Sequence, residues 1–190
     1  MREFLKTVGF VIGQRELGEK DKIITLFTEK YGKIRVFARG VRNINSRRLG
    51  SLETGNKIKA SILQKDDRYY LGETELFESL PEIRKNLILN ASLLSMCELI
   101  DRLTAENQEN KRAYNLFSQT ISSLSQIKRV EIVVIFEVKL LEILGFGIPK
   151  NISSLIIEKK WPKAQRAVSR HLETVSERKI SGLKIFLNND

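Results

Sequence analysis

The chain has 190 residues, enough for one ordinary domain or two small ones. Its 42% apolar and 29% charged content fits a packed core with a wet surface, which excludes disorder and collagen-like repeats; one cysteine, Cys97, excludes an intrachain disulfide framework and suits a reducing compartment. Lys and Arg number 33 against 23 Asp and Glu, a formal net charge of +10, so an acidic partner is the first expectation.

From Phe4 to Phe77 the pattern is short, strand-like and punctuated by glycine and charged turns. Leu5 to Ile12 reads as a first strand, Lys22 to Thr28 as a second and Lys33 to Arg39 as a third. Between the last two, Glu29-Lys30-Tyr31-Gly32 is expected to form a tight hairpin turn, with Gly32 supplying a positive φ. Asn56 to Leu63 and Arg68 to Phe77 alternate as a fourth and a fifth strand joined by Lys65-Asp66-Asp67-Arg68. Five such strands in about 75 residues predict a small barrel.

After Ser79 the period changes from two to 3.6. Ser79-Leu80-Pro81-Glu82 fits a helix start, and Ile83, Leu87, Ala91, Leu94, Cys97, Ile100 and Leu103 form one apolar stripe of a long first helix. A second helix is expected over 108–127, with Ala113, Phe117, Thr120 or Ile121, and Leu124 in line. A third, over 130–144, is apolar nearly all round and should be the centre of a bundle, ending at Gly145. Trp161-Pro162-Lys163 opens a fourth, and Ile180, Leu183 and Leu187 outline a short last one. The expected fold is α+β: a five-stranded oligonucleotide-binding (OB) barrel over residues 1–79, then an all-α helical domain over 80–190 with basic C-terminal helices.

The residues argue against an enzyme. His171 lines up with Ala164, Ala167, Val168 and Leu172 as a partly buried packing histidine, and Cys97 lies in an apolar stripe as an inert core thiol. Ser125-Gln126-Ile127-Lys128 has the S-x-x-K spacing of penicillin-recognising enzymes without their companion motifs. Glu16, Glu19 and Asp21 read as a solvated turn rather than metal ligands, and no phosphate-cradling glycine motif occurs. One Cys and one His cannot build a four-ligand zinc site, so no metal and no cofactor are expected. The greasiest run, Ile132 to Leu144, is interrupted by Glu137, Lys139 and Glu142 and is too short to span a bilayer. No signal-peptide apolar region follows Met1, so we expect a complete, soluble, intracellular chain of bacterial size.

The charge is unevenly placed. Residues 1–80 carry a net +5, residues 81–145 are neutral and residues 146–190 return to +5. Lys30, Lys33, Arg35, Arg39, Arg42, Arg47 and Arg48 fall together with no acid among them. That segment should project a positive field from one edge of the barrel. Tyr31, Phe37, Tyr69 and Tyr70 offer ring faces for bases, about half of them core instead, Phe37 foremost. A basic groove with aromatic platforms suits single strands, bound through phosphates with weak sequence readout and strong salt dependence.

The stretch from Gly18-Glu19-Lys20-Asp21-Lys22-Ile23-Ile24-Thr25-Leu26-Phe27-Thr28 to Tyr31-Gly32-Lys33, then Ala38-Arg39-Gly40-Val41-Arg42 and Ser46-Arg47, resembles the N-terminal signature of the RecO family of recombination mediators. Weaker likeness continues in Leu80-Pro81-Glu82-Ile83-Arg84, Glu98-Leu99-Ile100, Phe136-Glu137-Val138-Lys139-Leu140-Leu141 with Gly145, and Leu183-Lys184-Ile185-Phe186-Leu187. Two departures stand out. Leu52-Glu53-Thr54-Gly55 replaces a Leu-Gln-Pro run, and the four-cysteine zinc module that many members insert after the central helix is missing. Lys159, Lys160, Lys163, Arg166 and Arg170 are the candidate substitutes, a secondary basic face whose last three members share one side of a helix.

The resemblance implies a bacterial cytosolic, nucleoid-associated DNA repair protein that binds single- and double-stranded DNA and anneals complementary strands. With a partner called RecR it would help load a RecA-type recombinase onto DNA coated by single-strand-binding protein, whose tail the helical half would dock. The residues expected at phosphates are Lys30, Lys33, Arg35, Arg39, Arg42, Arg47 and Arg48, with Tyr31 stacking. Two other classes stay open: an OB-fold RNA-binding protein of translation or RNA turnover, and a non-catalytic protein-binding adaptor.

Overall fold

The computed structural model describes residues 2–43, 48–127 and 131–176. Five strands close a barrel in the order β1-β2-β3-β5-β4: β1 Arg2–Leu17, β2 Asp21–Thr28, β3 Gly32–Ala38, β4 Lys57–Lys65 and β5 Arg68–Glu78. All five lie where alternation places them, and β1 is longer at both ends. Its first half pairs with β4 and its second half with β2, with a register shift between Val11 and Gly13 where the strand turns from one neighbour to the other. Each half is thus held by its own ladder, so the polar ends Arg2-Glu3 and Gln14-Arg15-Glu16 stay in the sheet. The hairpin between β2 and β3 is as expected, with Gly32 at φ 62°. Thr28 sets it: Tyr31 N–H donates to Thr28 Oγ1 at 3.0 Å, and that hydroxyl donates to the Gly32 carbonyl at 3.0 Å.

Inward side chains make one core, including Leu5, Val11, Ile24, Leu26, Ile34, Val36, Ile58 and Ile62, closed by Val41 and Leu52 from the β3–β4 connection. Phe10 and Phe27 point to the other face of the sheet and are equally buried. Their cover is Tyr114, 5.7 Å from each ring, in a segment, Thr104–Tyr114, that forms one compact unit with Met1–Leu80. Truncating either phenylalanine to alanine would cost on the order of 3–5 kcal/mol.

The second unit comprises Pro81–Leu103 and the chain from Asn115 onward. Its helices are α1 Pro81–Lys85, α2 Leu87–Leu103, α3 Lys111–Ile127 (whose first turn belongs to the barrel unit), α4 Glu131–Ile143, α5 Lys150–Ile157 and α6 Trp161–Ser176. The single long helix expected after Ser79 is broken at Asn86. Asn86 N–H closes a turn on the Ile83 carbonyl, and its Oδ1 accepts from Ile88 and Leu89 N–H, both at 3.1 Å, capping a new helix. The break turns the stripe: Leu87 and Leu94 are exposed, whereas Leu89, Leu93, Met96, Cys97, Leu99 and Ile100 are buried. Asn110 caps α3 in the same way, so α3 starts three residues later than its apolar period suggests.

Phe136, Leu140 and Leu141 make α4 the buried centre of its unit, with Phe136 against Phe117 at 6.0 Å. Gly145, at φ 81°, ends the helix, with Phe146 N–H donating to the Leu141 carbonyl. The sequence reading assigns no element to α5, which is eight residues long and buries only Ile152, too little to show a period. The short last helix expected around Ile180 to Leu187 lies outside the described residues.

Candidate nucleic-acid interface

Alternation along β3 turns Ile34, Val36 and Ala38 to the core and Lys33, Arg35 and Phe37 outward, with Arg39 just past the strand. Arg35, still half-exposed, is already paired, and Lys33 is covered on its outward side. The Thr104–Tyr114 segment crosses it: Lys33 bridges Glu106 in parallel fashion, and its carbonyl accepts from Asn107 N–H at 2.8 Å. Arg35 ion-pairs with Glu106 at 2.7 Å, and Lys111 pairs with Glu29 at 3.6 Å. Gly32 lies against the Gln108 carbonyl, so closely that a Cβ there would collide with it. Lys33 is accordingly only 4% exposed. Tyr31 packs against the barrel core rather than standing free. Glu106 escapes sequence reading because it lies in another part of the chain from the basic segment it neutralises.

The rest of the segment separates into two roles. Arg42 ties turns together, donating to the Gly18 carbonyl at 3.2 Å and pairing with Glu16 at 3.2 Å, while Gly40 N–H donates to Asp21 Oδ1 at 2.7 Å. Glu16 and Asp21 therefore anchor the turn after β3. Arg48 crosses to three carbonyls, Arg39 at 2.6 Å and Leu71 and Gly72 at 3.2 Å each, and so fastens the end of β3 to β5. Arg47 lies outside the described residues.

Arg39 remains exposed, its guanidinium 4.7 Å from the Tyr70 ring centroid. The barrel closes through the parallel pairing of β3 with β5, which sets Phe37 directly beside Tyr70. Their centroids are 5.6 Å apart with a 33° tilt, and Arg68 stands 6.0 Å from the Phe37 centroid on the far side. The result is a row Arg39–Tyr70–Phe37–Arg68, two rings flanked by two guanidiniums on the outer surface. This corrects the expectation for Phe37, which is half-buried on the outer face; Tyr69, its neighbour's neighbour in register, is the ring packed on the core. Sequence reading also missed Arg68, placed where the connecting stretch meets the fifth strand and not among the candidate contacts. The signal was present: Arg68 and Tyr70 are two apart on one strand and so share a face.

Lys30 is exposed in the β2–β3 turn and does not join this row; it lines a groove with Lys6 and Lys59. In the helical unit, Lys163, Arg166 and Arg170 are exposed on α6, opposite buried Ala164, Val168 and Leu172. Lys159 and Lys160 are exposed just before it, Lys160 paired with Glu158 at 2.6 Å, a bond and charge that hold the Glu158 carboxyl below its usual range. His171 is half-buried and its Nε2 lies 3.0 Å from the Gly147 carbonyl, tying α6 to the turn after α4. Cys97 is buried, and burial pushes its thiol up to about 12. Glu137 on α4 is fully buried, neither carboxyl oxygen has a hydrogen-bond partner, and burial pushes it up to about 8. Among the described residues no group of three or more His, Cys, Asp or Glu is placed to hold a metal, and no helix is long and apolar enough to cross a membrane.

A closed five-stranded barrel of this strand order, carrying rings and guanidiniums on its surface and followed by helices, defines an OB-type α+β protein. Two family descriptions match the chain in sequence order: Recombination protein O N terminal over residues 1–80 and Recombination protein O C terminal over residues 84–151. The chain belongs to the RecO family. It is 34% identical over 143 residues to the DNA repair protein RecO of Bacillus pumilus (strain SAFR-032), covering 74% of this chain and 56% of that protein. To the DNA repair protein RecO of Alkaliphilus metalliredigens (strain QYMF) it is 34% identical over 146 residues, covering 74% and 58%. To that of Thermoanaerobacter sp. (strain X514) it is 29% identical over 144 residues, covering 75% and 58%. The match thus spans rather more than half the length of these relatives.

Proposed function

We propose that this chain is a DNA repair and recombination mediator that binds single- and double-stranded DNA and anneals complementary strands without bond chemistry. The observation that carries the reading is the Arg39–Tyr70–Phe37–Arg68 row on the barrel of a RecO-family chain. Stacked rings accept any base face, worth about 1–3 kcal/mol per base, and flanking guanidiniums meet the phosphates on either side. Neutralising phosphates on two strands lowers the repulsion between them, and weak base readout lets them slide into register. Arg48 sets the geometry of the row by holding the Arg39 carbonyl. Exposed Lys163, Arg166 and Arg170, with Lys159 and Lys160, supply a second phosphate-binding face. With RecR, the chain would help load a RecA-type recombinase onto DNA coated by single-strand-binding protein, whose tail the helical unit docks, in the bacterial cytosol.

The test is fluorescence anisotropy with labelled single-stranded DNA and RNA of one sequence at two salt concentrations. Tyr70→Ala should weaken DNA binding about 5- to 150-fold. Arg39→Ala and Arg68→Ala should each also lower the salt slope by about one. Unchanged affinity in folded Tyr70→Ala protein removes the row as the site, and clear preference for RNA replaces the DNA reading.

A further inference from the structure

On the outer side of the barrel, β1, β4 and β5 border an open groove of about 940 Å³ that the row at the β3–β5 seam does not use. Three ammonium groups, Lys6, Lys30 and Lys59, line it with the Arg48 guanidinium, and Thr7, Ser61 and Thr74 complete the wall. All three lysines are exposed, and Lys6 and Lys30 make no ion pair among the described residues. Strand register explains the assembly: Lys6 stands opposite Ser61, and Val8 opposite Lys59, so consecutive outward positions on neighbouring strands bring two ammonium groups to one face. The groove also contains Glu29, Glu73 and Glu75; Glu29 pairs with Lys111 at 3.6 Å and Glu75 with Lys59 at 3.5 Å, which leaves Lys6, Lys30 and Arg48 against Glu73. Beside it on β5, Phe77 is 56% exposed, with Lys57 and Lys59 at 5.3 and 5.5 Å from its ring. Exposed ammoniums and one exposed ring with cations at its face are the recognition chemistry of a single-stranded polynucleotide.

We propose that this groove holds a second single strand, so that one barrel carries two strands at once: one on the Phe37–Tyr70 row, the other along Lys6, Lys59 and Phe77. The inference rests on the reading of the row as the first-strand site. It adds what annealing requires and one row does not supply, a separate place for the incoming strand. The two sites share β5, Tyr70 belonging to one and Phe77 to the other, which keeps the strands side by side on a common scaffold.

The experiment uses the whole chain and two non-complementary oligonucleotides, one carrying a donor dye and one an acceptor. The wild-type protein, saturated with the first, should capture the second and give energy transfer, and should take up two strands per chain at saturation. Lys6→Glu combined with Lys59→Gln should bind the first strand within about twofold of wild type, lose second-strand affinity at least tenfold and slow annealing in proportion. Lys6→Gln with Lys59→Gln, which keeps side-chain length and adds no acid, should fall between, with an unchanged melting temperature for both variants. Full energy transfer in the folded variants, or saturation of wild type at one strand per chain, overturns the proposal while leaving the row intact. Failure of the wild type to bind any strand is seen in the first titration and overturns both.

Discussion

Replacing Glu137 with glutamine tests whether α4 carries a neutral acid at its centre. The side chain is 0% exposed, both carboxyl oxygens lack a partner, and burial raises the group from an ordinary 4.5 to about 8. Below pH 4.5 the acid is protonated in the folded and unfolded chain alike, and its full stability contribution is present. Between 4.5 and 8 the folded form holds a proton that the unfolded form has released, so stability falls as pH rises, by about 1.4 kcal/mol per unit. At pH 7 the accumulated loss is about 3 kcal/mol, and it levels off near 5 kcal/mol above pH 8. Glutamine keeps the shape and removes the titration. Trp161, the single tryptophan, lies on α6 of the same unit, so its fluorescence follows the relevant transition. In urea unfolding at pH 5, 7 and 8.5, wild type should lose stability steeply from the first value to the last. Glu137→Gln and the apolar Glu137→Met should run nearly flat. A wild type without that loss, or variants that fall in parallel with it, would refute the argument from burial.

Three further outcomes follow from contacts already described. Arg48→Ala should lower barrel stability by about 1–3 kcal/mol, since three backbone carbonyls lose a charged donor, and Arg48→Lys should restore little because one ammonium cannot span them; thermal melts decide, and an unchanged melting temperature with a lower DNA salt slope would make Arg48 a phosphate contact instead. Glu106→Gln removes the acid beside Arg35, so low-salt affinity for single-stranded DNA should rise about two- to fivefold, while the loss of a half-exposed ion pair changes stability by less than about 1 kcal/mol. Cys97, buried with its thiol held near 12, should stay unmodified by a thiol reagent at pH 8 and react once urea unfolds the chain; native-state labelling at the rate of a free thiol would contradict the burial.

The barrel was legible because each strand alternates and each hairpin carries its own turn residues, Gly32 above all. The limits of that legibility are equally local. Asn86 sits inside an apolar period that runs on past it, and only its side-chain cap on Ile88 and Leu89 reveals a helix boundary. The Ile152 helix is too short to have a period at all. Phe37 reads as core by residue type, yet strand parity places it with Arg35 and Arg39, outward, and type is the weaker guide in a sheet whose outer face is also built.

Charge is where local reading fails most, because a run of basic residues is a property of the chain and a binding surface is a property of the fold. Strand register sends Lys33 beneath the Thr104–Tyr114 segment and leaves Arg35 at its exposed edge, paired with Glu106. Arg42 and Arg48 turn to backbone carbonyls and fix the connection after β3. Arg39 reaches a ring, in a row whose other end is Arg68, which the run does not contain. Lys30 lines a groove with Lys6 and Lys59. The same seven-residue excess therefore builds the barrel, seats one candidate strand and contributes to a second groove. A blanket replacement of the run by alanine would unfold these roles together. Single substitutions at Arg48, Tyr70 and Lys6 separate them, because each acts through a different measurable quantity: melting temperature, single-strand affinity and capture of the second strand.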